Sequence, residues 1–389
     1  MKIGIVGCGF VADFYLETIT NHPNIEIKYV FDIDKKRLNQ FCKFYNLNPA
    51  TSLQTILDDP EIKMVWNLTN PKNHFDISKQ SLEHGKHVYS EKPLGMNFEE
   101  AEYLVELAKK NQLHIGSAPC SFLSNTARSI KKYLDDNLIG EVKLVYVAYE
   151  TAMTHLQSYD AWVSPSGAKW PAKDEFEIGC TYEHAGYFLT WLAMFFGSAI
   201  SVSAFSACQI KKKGIDLDYN APDFSVGCIE YKNGVIARVT SSIIAPTDKS
   251  MTIIGEKGTI YVKNIRDDNS PIYLSNVIES KFFNAIEYRL DNYLGRFERL
   301  FNKIPWSWGN YFRVKKSLPI IKTNMKNKTA NIHKPVDFCL GPAEMIESIT
   351  NNKKPIVSAE LALHITELTH ILQYPKSNFN SSIIKSSID

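Results

Sequence analysis

At 389 residues and 44% hydrophobic, the chain is long enough for two or three domains and apolar enough to bury a sizeable core, which excludes a disordered chain. A formal net charge of +2 excludes a global attraction to nucleic acid. Seven cysteines, an odd number with no Cys-x-x-Cys, fit reduced thiols in the cytoplasm better than disulfides or zinc, and no metal site is expected.

The N-terminus lacks the basic region, long apolar core and cleavage site of a secretory signal, and its short apolar run, 1–6, reads as a first strand. Gly7-Cys8-Gly9-Phe10-Val11-Ala12 follows directly. Glycine at 7 suits a tight turn, glycine at 9 lets backbone approach a pyrophosphate, and Ala12 fills the third fingerprint position, where helix and strand pack closely. A helix over 11–19 aims its N-terminal amides at those phosphates, and His22-Pro23 stops it. A second strand ends at Asp32, 20 residues beyond Ala12. Its carboxylate is placed to accept hydrogen bonds from the adenosine ribose and would repel a 2′-phosphate, which favours NAD over NADP. A helix cap is the competing role for Asp32, and Asp34 fits either role. Strands at 64–68, 87–89 and 113–116 alternate with helices at 35–45, 53–57, 75–84 and 98–111, so 1–120 reads as a doubly wound parallel sheet.

Beyond 120 the rhythm changes. A helix at 125–137 precedes a strand at 142–149, and further strands are expected at 200–208, 224–231, 234–244, 250–254 and 258–263. The uncharged stretch 185–209 is long enough to cross a bilayer, but Gly197-Ser198 divides it into an apolar helix, 187–196, and an alternating strand. The second unit, 121–375, is therefore expected to be α+β with a large, open-faced, mostly antiparallel sheet, self-associating through that face. It carries an insertion at about 279–335 and ends in helices at 341–350 and 358–373, with a mobile Asn/Ser/Lys-rich tail at 376–389.

A hydride reaction also needs a group to move the hydroxyl proton near the nicotinamide. Lys92, in Glu91-Lys92-Pro93, sits on a stiff turn directly after a sheet strand, where doubly wound folds bind ligands. Burial beside a positive nicotinamide is expected to lower its pKa. Trp162, Lys169, Trp170 and Asp174 lie on or next to a Pro/Gly-rich stretch, 164–171, long enough to cover a cleft; aromatic and polar side chains there suit a sugar, and packed tryptophans capping a loop are the alternative.

Three blocks, Gly7 to Ala12, Leu68-Thr69-Asn70-Pro71-Lys72-Asn73-His74 and Glu83-His84-Gly85-Lys86-His87-Val88-Tyr89-Ser90-Glu91-Lys92-Pro93-Leu94-Gly95, resemble the Gfo/Idh/MocA family of NAD(P)-dependent oxidoreductases over roughly 1–275. The resemblance implies a Rossmann domain followed by an open-faced α/β domain, with substrate between them. It adds Thr69, Asn70, His74 and Glu91 to the cofactor residues Gly7, Gly9, Phe10, Val11, Ala12, Asp32 and Lys92. The family's second motif, Asp-x-Gly-x-His, is here Glu183-His184-Ala185-Gly186-Tyr187, so its histidine proton carrier is replaced by Tyr187 and its aspartate by Glu183. Lys92 is expected to lower the Tyr187 pKa, and His184 is the alternative acid/base. Substrate contacts are expected from Lys92, Trp162, Trp170, Glu183 and Tyr187.

Residues 303–334 hold eight Lys or Arg and no Asp or Glu, with Phe301, Trp306, Trp308, Tyr311 and Phe312 close by. Such a patch suits anionic lipid, a nucleotide diphosphate, an acidic polysaccharide or an oligomer contact. The expectation is a cytoplasmic, homo-oligomeric NAD-dependent oxidoreductase of a sugar or cyclic polyol, in particular a nucleotide-linked sugar of surface-polysaccharide synthesis. An NAD-dependent glycoside hydrolase with transient internal redox, or a non-catalytic NAD-binding sensor or scaffold, is the alternative.

Overall fold

The computed structural model describes residues 1–276, 316–321, 336–376 and 381–388. Five parallel strands, β1 (Lys2–Val6), β2 (Glu26–Phe31), β3 (Met64–Asn67), β4 (His87–Ser90) and β5 (Ile115–Ser117), order as β2-β1-β3-β4-β5. Helices α1 (Phe10–Thr18), α2 (Lys35–Tyr45), α3 (Leu53–Leu57), α4 (His74–Glu83) and α5 (Phe98–Lys110) alternate with them. The register aligns Val6 with Phe31 and Asn67, Asn67 with Ser90, and Ser90 with Ser117. The residues after each strand therefore emerge along one sheet edge, which is how Gly7, Asp32, Leu68 and Glu91 become neighbours.

The second unit begins with α6 (Asn125–Asp135) and β6 (Val142–Glu150). Two helices follow, α7 (Ala172–Ile178) and α8 (Cys180–Phe196), then β7 (Ala199–Ala207), β8 (Phe224–Tyr231), β9 (Ile236–Ser242), β10 (Met251–Gly255), β11 (Gly258–Val262), β12 (Ile272–Asn276) and β13 (Lys316–Leu318). With β14 (Ser382–Ile383) they form a nine-stranded sheet, antiparallel except for the β6–β9 pair. One face buries Val145, Val147, Val239 and Ile253 under α8, whose apolar residues run almost all round. The other face exposes Tyr146, Ile200 and Ile236.

Helices α9 (Leu340–Thr350) and α10 (Ala359–Gln373) close the fold, α10 packing on α5 and β5 of the first unit as well as α8 and β7 of the second. The fit is tight: a Cβ at Gly116 would lie 2.7 Å from Met345 Sδ and Val357 Cγ1.

Three expectations need correction. The tail beyond 376 is not uniformly loose: Ser382 and Ile383 pair with Val202 and Ser201, and the Glu367 carboxylate accepts the Lys385 and Ser386 amides at 2.9 and 2.8 Å. The apolar helix expected at 187–196 begins two turns earlier, at Cys180. The loop expected around Asp174 is α7, whose first turn carries Asp174 and Glu175. Among the described residues no helix is long and apolar enough to cross a membrane. Most of the basic, aromatic stretch, including Phe301, Trp306, Trp308, Tyr311 and Phe312, lies outside the described residues.

Candidate active site

The glycine turn sits at the switch point between β1 and β3, where strand order reverses and doubly wound folds open a crevice. Gly7 has φ +99° and a Cβ there would fall 2.5 Å from the Leu68 carbonyl oxygen, so only glycine lets β1 and β3 turn out side by side. A Cβ at Gly9 would meet nothing within 4 Å, and no side chain caps the amides of α1 just beyond it. That open space before uncapped amides fits a pyrophosphate. The Asp32 carboxylate is held at the end of β2 by the amides of Cys8 (2.7 Å) and Asp34 (2.9 Å), while Asp34 caps α2 through the Lys36 and Arg37 amides. The cap role thus belongs to Asp34, and Asp32 keeps lone pairs for a ribose; these residues would hold the adenosine and pyrophosphate of NAD.

His74 serves the site indirectly. Fully buried, its ring bridges the carbonyl oxygens of Pro93 (2.6 Å) and Thr69 (2.9 Å), tying the turn after β3 to the turn that carries Lys92. Glu91 likewise is fixed, accepting the Tyr15 hydroxyl at 2.6 Å and the Lys92 amide at 3.1 Å.

A strap from the second unit crosses onto this edge. Asp13 on α1, fully buried, accepts the Ser164 hydroxyl (2.7 Å), the Ser166 amide (2.8 Å), the Ser166 hydroxyl (2.7 Å) and the Tyr45 hydroxyl (2.7 Å). Arg37 adds bonds to the Ser166 carbonyl (2.7 Å) and hydroxyl, and to the Cys8 carbonyl of the phosphate turn (2.5 Å). Trp162 and Trp170 stand at the ends of the strap, edge to face at 5.0 Å, and pack with Tyr159 and Phe176 as well as facing the cleft. Lys169 is exposed and does not line the cleft.

Between strap and sheet lies a cleft of about 300 Å³. Of the residues singled out from the sequence, Gly9, Phe10, Val11, Thr69, Asn70, His74, Glu91, Lys92, Trp162, Trp170, Asp174, Glu183 and Tyr187 line it; Gly7, Ala12, Asp32 and His184 do not. At its inner end Lys92 Nζ donates to Glu183 Oε2 at 2.5 Å, their side chains 16% and 23% exposed. Burial lowers the Lys92 pKa, but the charges of Glu183 and Glu175 outweigh it and hold the ammonium well above the usual lysine range, the reverse of the expected direction. Burial raises Glu183, and Lys92 with the Glu175 hydrogen bond outweighs it, keeping a carboxylate. Glu175 is pushed well above the usual carboxylate range by burial and by the neighbouring Glu183 charge.

Because Glu183 and Tyr187 are four residues apart on α8, both face the cleft, while His184 turns aside. His184 packs against the Tyr149 ring at 4.6 Å, and burial drives its pKa down to about 3. His184 is therefore absent from the cleft lining, and its unprotonated ring is in the form of a base, not an acid. Tyr187 is also raised rather than lowered, since burial exceeds the opposing effects of Arg266 and Lys92. Glu175 and Arg266 line the cleft unforeseen. Pro171 followed by acids at 174 and 175 was a legible helix start for the first; nothing around Arg266 marked it.

Residues 1–118 match an oxidoreductase family with an NAD-binding Rossmann fold, and 127–261 match the GFO/IDH/MocA C-terminal domain. The trans-1,2-dihydrobenzene-1,2-diol dehydrogenase of Mus musculus is 21% identical over 268 residues, covering 68% of this chain and 75% of its own. Levoglucosan dehydrogenase, solved with NADH and levoglucosan, superposes with a TM-score of 0.74 at 15% identity, over 99% of each chain. The WlbA dehydrogenase of Bordetella pertussis, solved with NADH and UDP-GlcNAcA, gives 0.70 at 18% identity, over 99% of this chain and 98% of its own.

Proposed function

The chain belongs to the GFO/IDH/MocA family of oxidoreductases, and from that membership we propose that it moves a hydride between NAD and the CH–OH carbon of a sugar or cyclic polyol, in particular a nucleotide-linked sugar of surface-polysaccharide synthesis. The observation that carries the reading is the Lys92–Glu183 pair, set with Tyr187 at the inner end of a cleft whose other wall is the Gly9 turn. Named relatives that act on a cyclic diol, or were solved with an anhydrosugar or a UDP-sugar, support this substrate class.

Bound NAD supplies or takes the hydride at nicotinamide C4. Tyr187 exchanges the proton with the substrate oxygen. In reduction the Tyr187 hydroxyl gives its proton to the carbonyl oxygen, and the phenolate left behind, stabilised by the Arg266 and Lys92 charges, regains a proton from solvent; in oxidation that phenolate takes the substrate hydroxyl proton. A neutral phenol beside a protonated Lys92 makes the resting site a proton donor, suited to a carbonyl substrate. Trp162 and Trp170 would stack on the sugar's C–H face, and the exposed apolar side chains of the open sheet face would mediate self-association.

The test is to mix purified protein and NAD with a panel of UDP- and GDP-sugars and follow reduced nicotinamide, then repeat with Tyr187→Phe. Turnover lost in the variant with NAD affinity kept supports the assignment. Unchanged turnover removes Tyr187 from the mechanism, and no reduction by any sugar, in either direction, defeats the substrate class.

A further inference from the structure

We propose that Arg266 and Lys249 form an anion-binding subsite beside Tyr187, so that the sugar taken here carries a carboxylate or phosphoryl group. The proposal rests on the reading of the cleft as the sugar site. Arg266 follows β11 and lines the cleft with its guanidinium carbon 5.1 Å from the Tyr187 ring centre. Lys249 directly precedes the β10 region; the Ile265 amide donates to its carbonyl at 2.9 Å, which sets it beside Arg266. Its ammonium lies 5.3 Å from the Tyr149 ring centre, and Tyr149 stacks on Tyr187 at 5.1 Å with 15° between the rings. The two cations thus border one pair of stacked rings.

Among the described residues neither cation has a carboxylate at ion-pair distance, and the Glu183 charge acts on Arg266 only from farther off. Glu183 is committed to Lys92. Asp267 and Asp268 accept the amides of Asn269 (2.9 Å) and Asp337 (2.7 Å), and Asp248 accepts that of Ser250 (2.9 Å). Lys92 and Glu183 cancel one another, and burial with the Glu183 charge pushes Glu175 toward its uncharged form, so beside Tyr187 the Arg266 and Lys249 cations face chiefly the Glu91 carboxylate. The pair also repel: burial first, and then the Arg266 charge, lower the Lys249 pKa. Contacts with ring faces leave the charge in place. An incoming anion relieves both the repulsion and the lost hydration, and a guanidinium fork fits carboxylate and phosphoryl oxygens two at a time. Since Arg266 stands over Tyr187, the anion lies within about one sugar ring of the oxygen that exchanges a proton.

Calorimetry on the NAD-saturated protein with D-glucose, D-glucuronate, UDP-glucose and UDP-glucuronate decides the matter without requiring turnover, so it is independent of whether any of them is oxidised. An anion on the sugar predicts that each uronate binds roughly tenfold or more tightly than its neutral partner. A diphosphate source predicts UDP-glucose over glucose, with no further gain from the uronate. In either case Arg266→Gln should weaken the preferred ligand roughly 10- to 100-fold, Arg266→Lys should keep part of the preference, and Lys249→Gln should lose a smaller part. Equal binding of all four ligands by the wild type, or an Arg266→Gln variant of unchanged melting temperature that weakens all four alike, would overturn the proposal.

Discussion

Replacing Asp13 by asparagine removes one charge and one acceptor from the point where the strap is latched to the nucleotide-binding unit. The carboxylate accepts four short hydrogen bonds, three of them from Ser164 and Ser166, and lies 3.4 Å from Arg37 Nη2. Asparagine keeps one acceptor oxygen; its amide nitrogen would face either the Tyr45 hydroxyl and the Ser166 amide or the two serine hydroxyls and the Arg37 guanidinium. Neither the Ser166 amide nor the guanidinium can accept a hydrogen bond. Hydrogen bonds to a charged group are worth about 1.5–3 kcal/mol each, and unpairing a buried ion costs about 3–5 kcal/mol in all. If about 2 kcal/mol of this falls on strap closure, NAD should dissociate roughly 30-fold faster. Stopped-flow displacement of NADH, read by its fluorescence, measures the rate, and calorimetry gives the accompanying fall in melting temperature. An unchanged dissociation rate in a variant whose melting temperature does fall would refute the strap as a cofactor clamp and leave Asp13 a purely structural residue.

Gly7→Ala and Gly9→Ala should separate fold from ligand. The first drives a Cβ onto Leu68 and should cost stability by about 2 kcal/mol or more, seen in chemical denaturation. The second should leave stability within about 0.5 kcal/mol while NAD binding drops, because its Cβ enters only the space before the α1 amides. Glu183→Gln removes the charge that most strongly holds Lys92 protonated; with burial then dominant, the alkaline limb of the kcat/KM pH profile should move to lower pH. Asp268 is held near 8 by burial, against an ordinary value near 3.8. The folded chain therefore keeps a proton that the unfolded chain releases, and stability falls as pH rises from about 4 to about 8. Asp268→Asn, still able to accept the Asp337 amide, should gain on the order of 1–3 kcal/mol relative to wild type across that window and level off above it, as thermal melts at stepped pH would show.

Local chemistry with a fixed period was readable from the residues alone. The turn at Gly7 and Gly9, the acid at Asp32 and the lysine at 92 follow from short-range rules, because backbone sterics and strand-to-turn order act over a few residues. The alternating strands of the second sheet were legible for the same reason, since one face is buried and the other open. The motif at 183–187 was legible as the opening of an apolar helix, but the uncharged run alone marked that helix only from 187, and the true start at Cys180 decided that Glu183 and Tyr187 share a side while His184 does not. Decisions that depend on who meets whom across long sequence separations were made only by the tertiary structure. Lys92 and Glu183 are 91 residues apart, and Asp13 and Ser166 are 153 apart. Burial and partner charge, which set the sign of every pKa in the cleft, exist only after those contacts form; so a lysine expected to lose its proton more readily keeps it, and a histidine placed by sequence beside the chemistry stands behind it. Arg266 makes the same point: an unmarked turn residue enters the cleft because β11 and the segment before β10 pair, and hydrogen-bond register, not local composition, chose it.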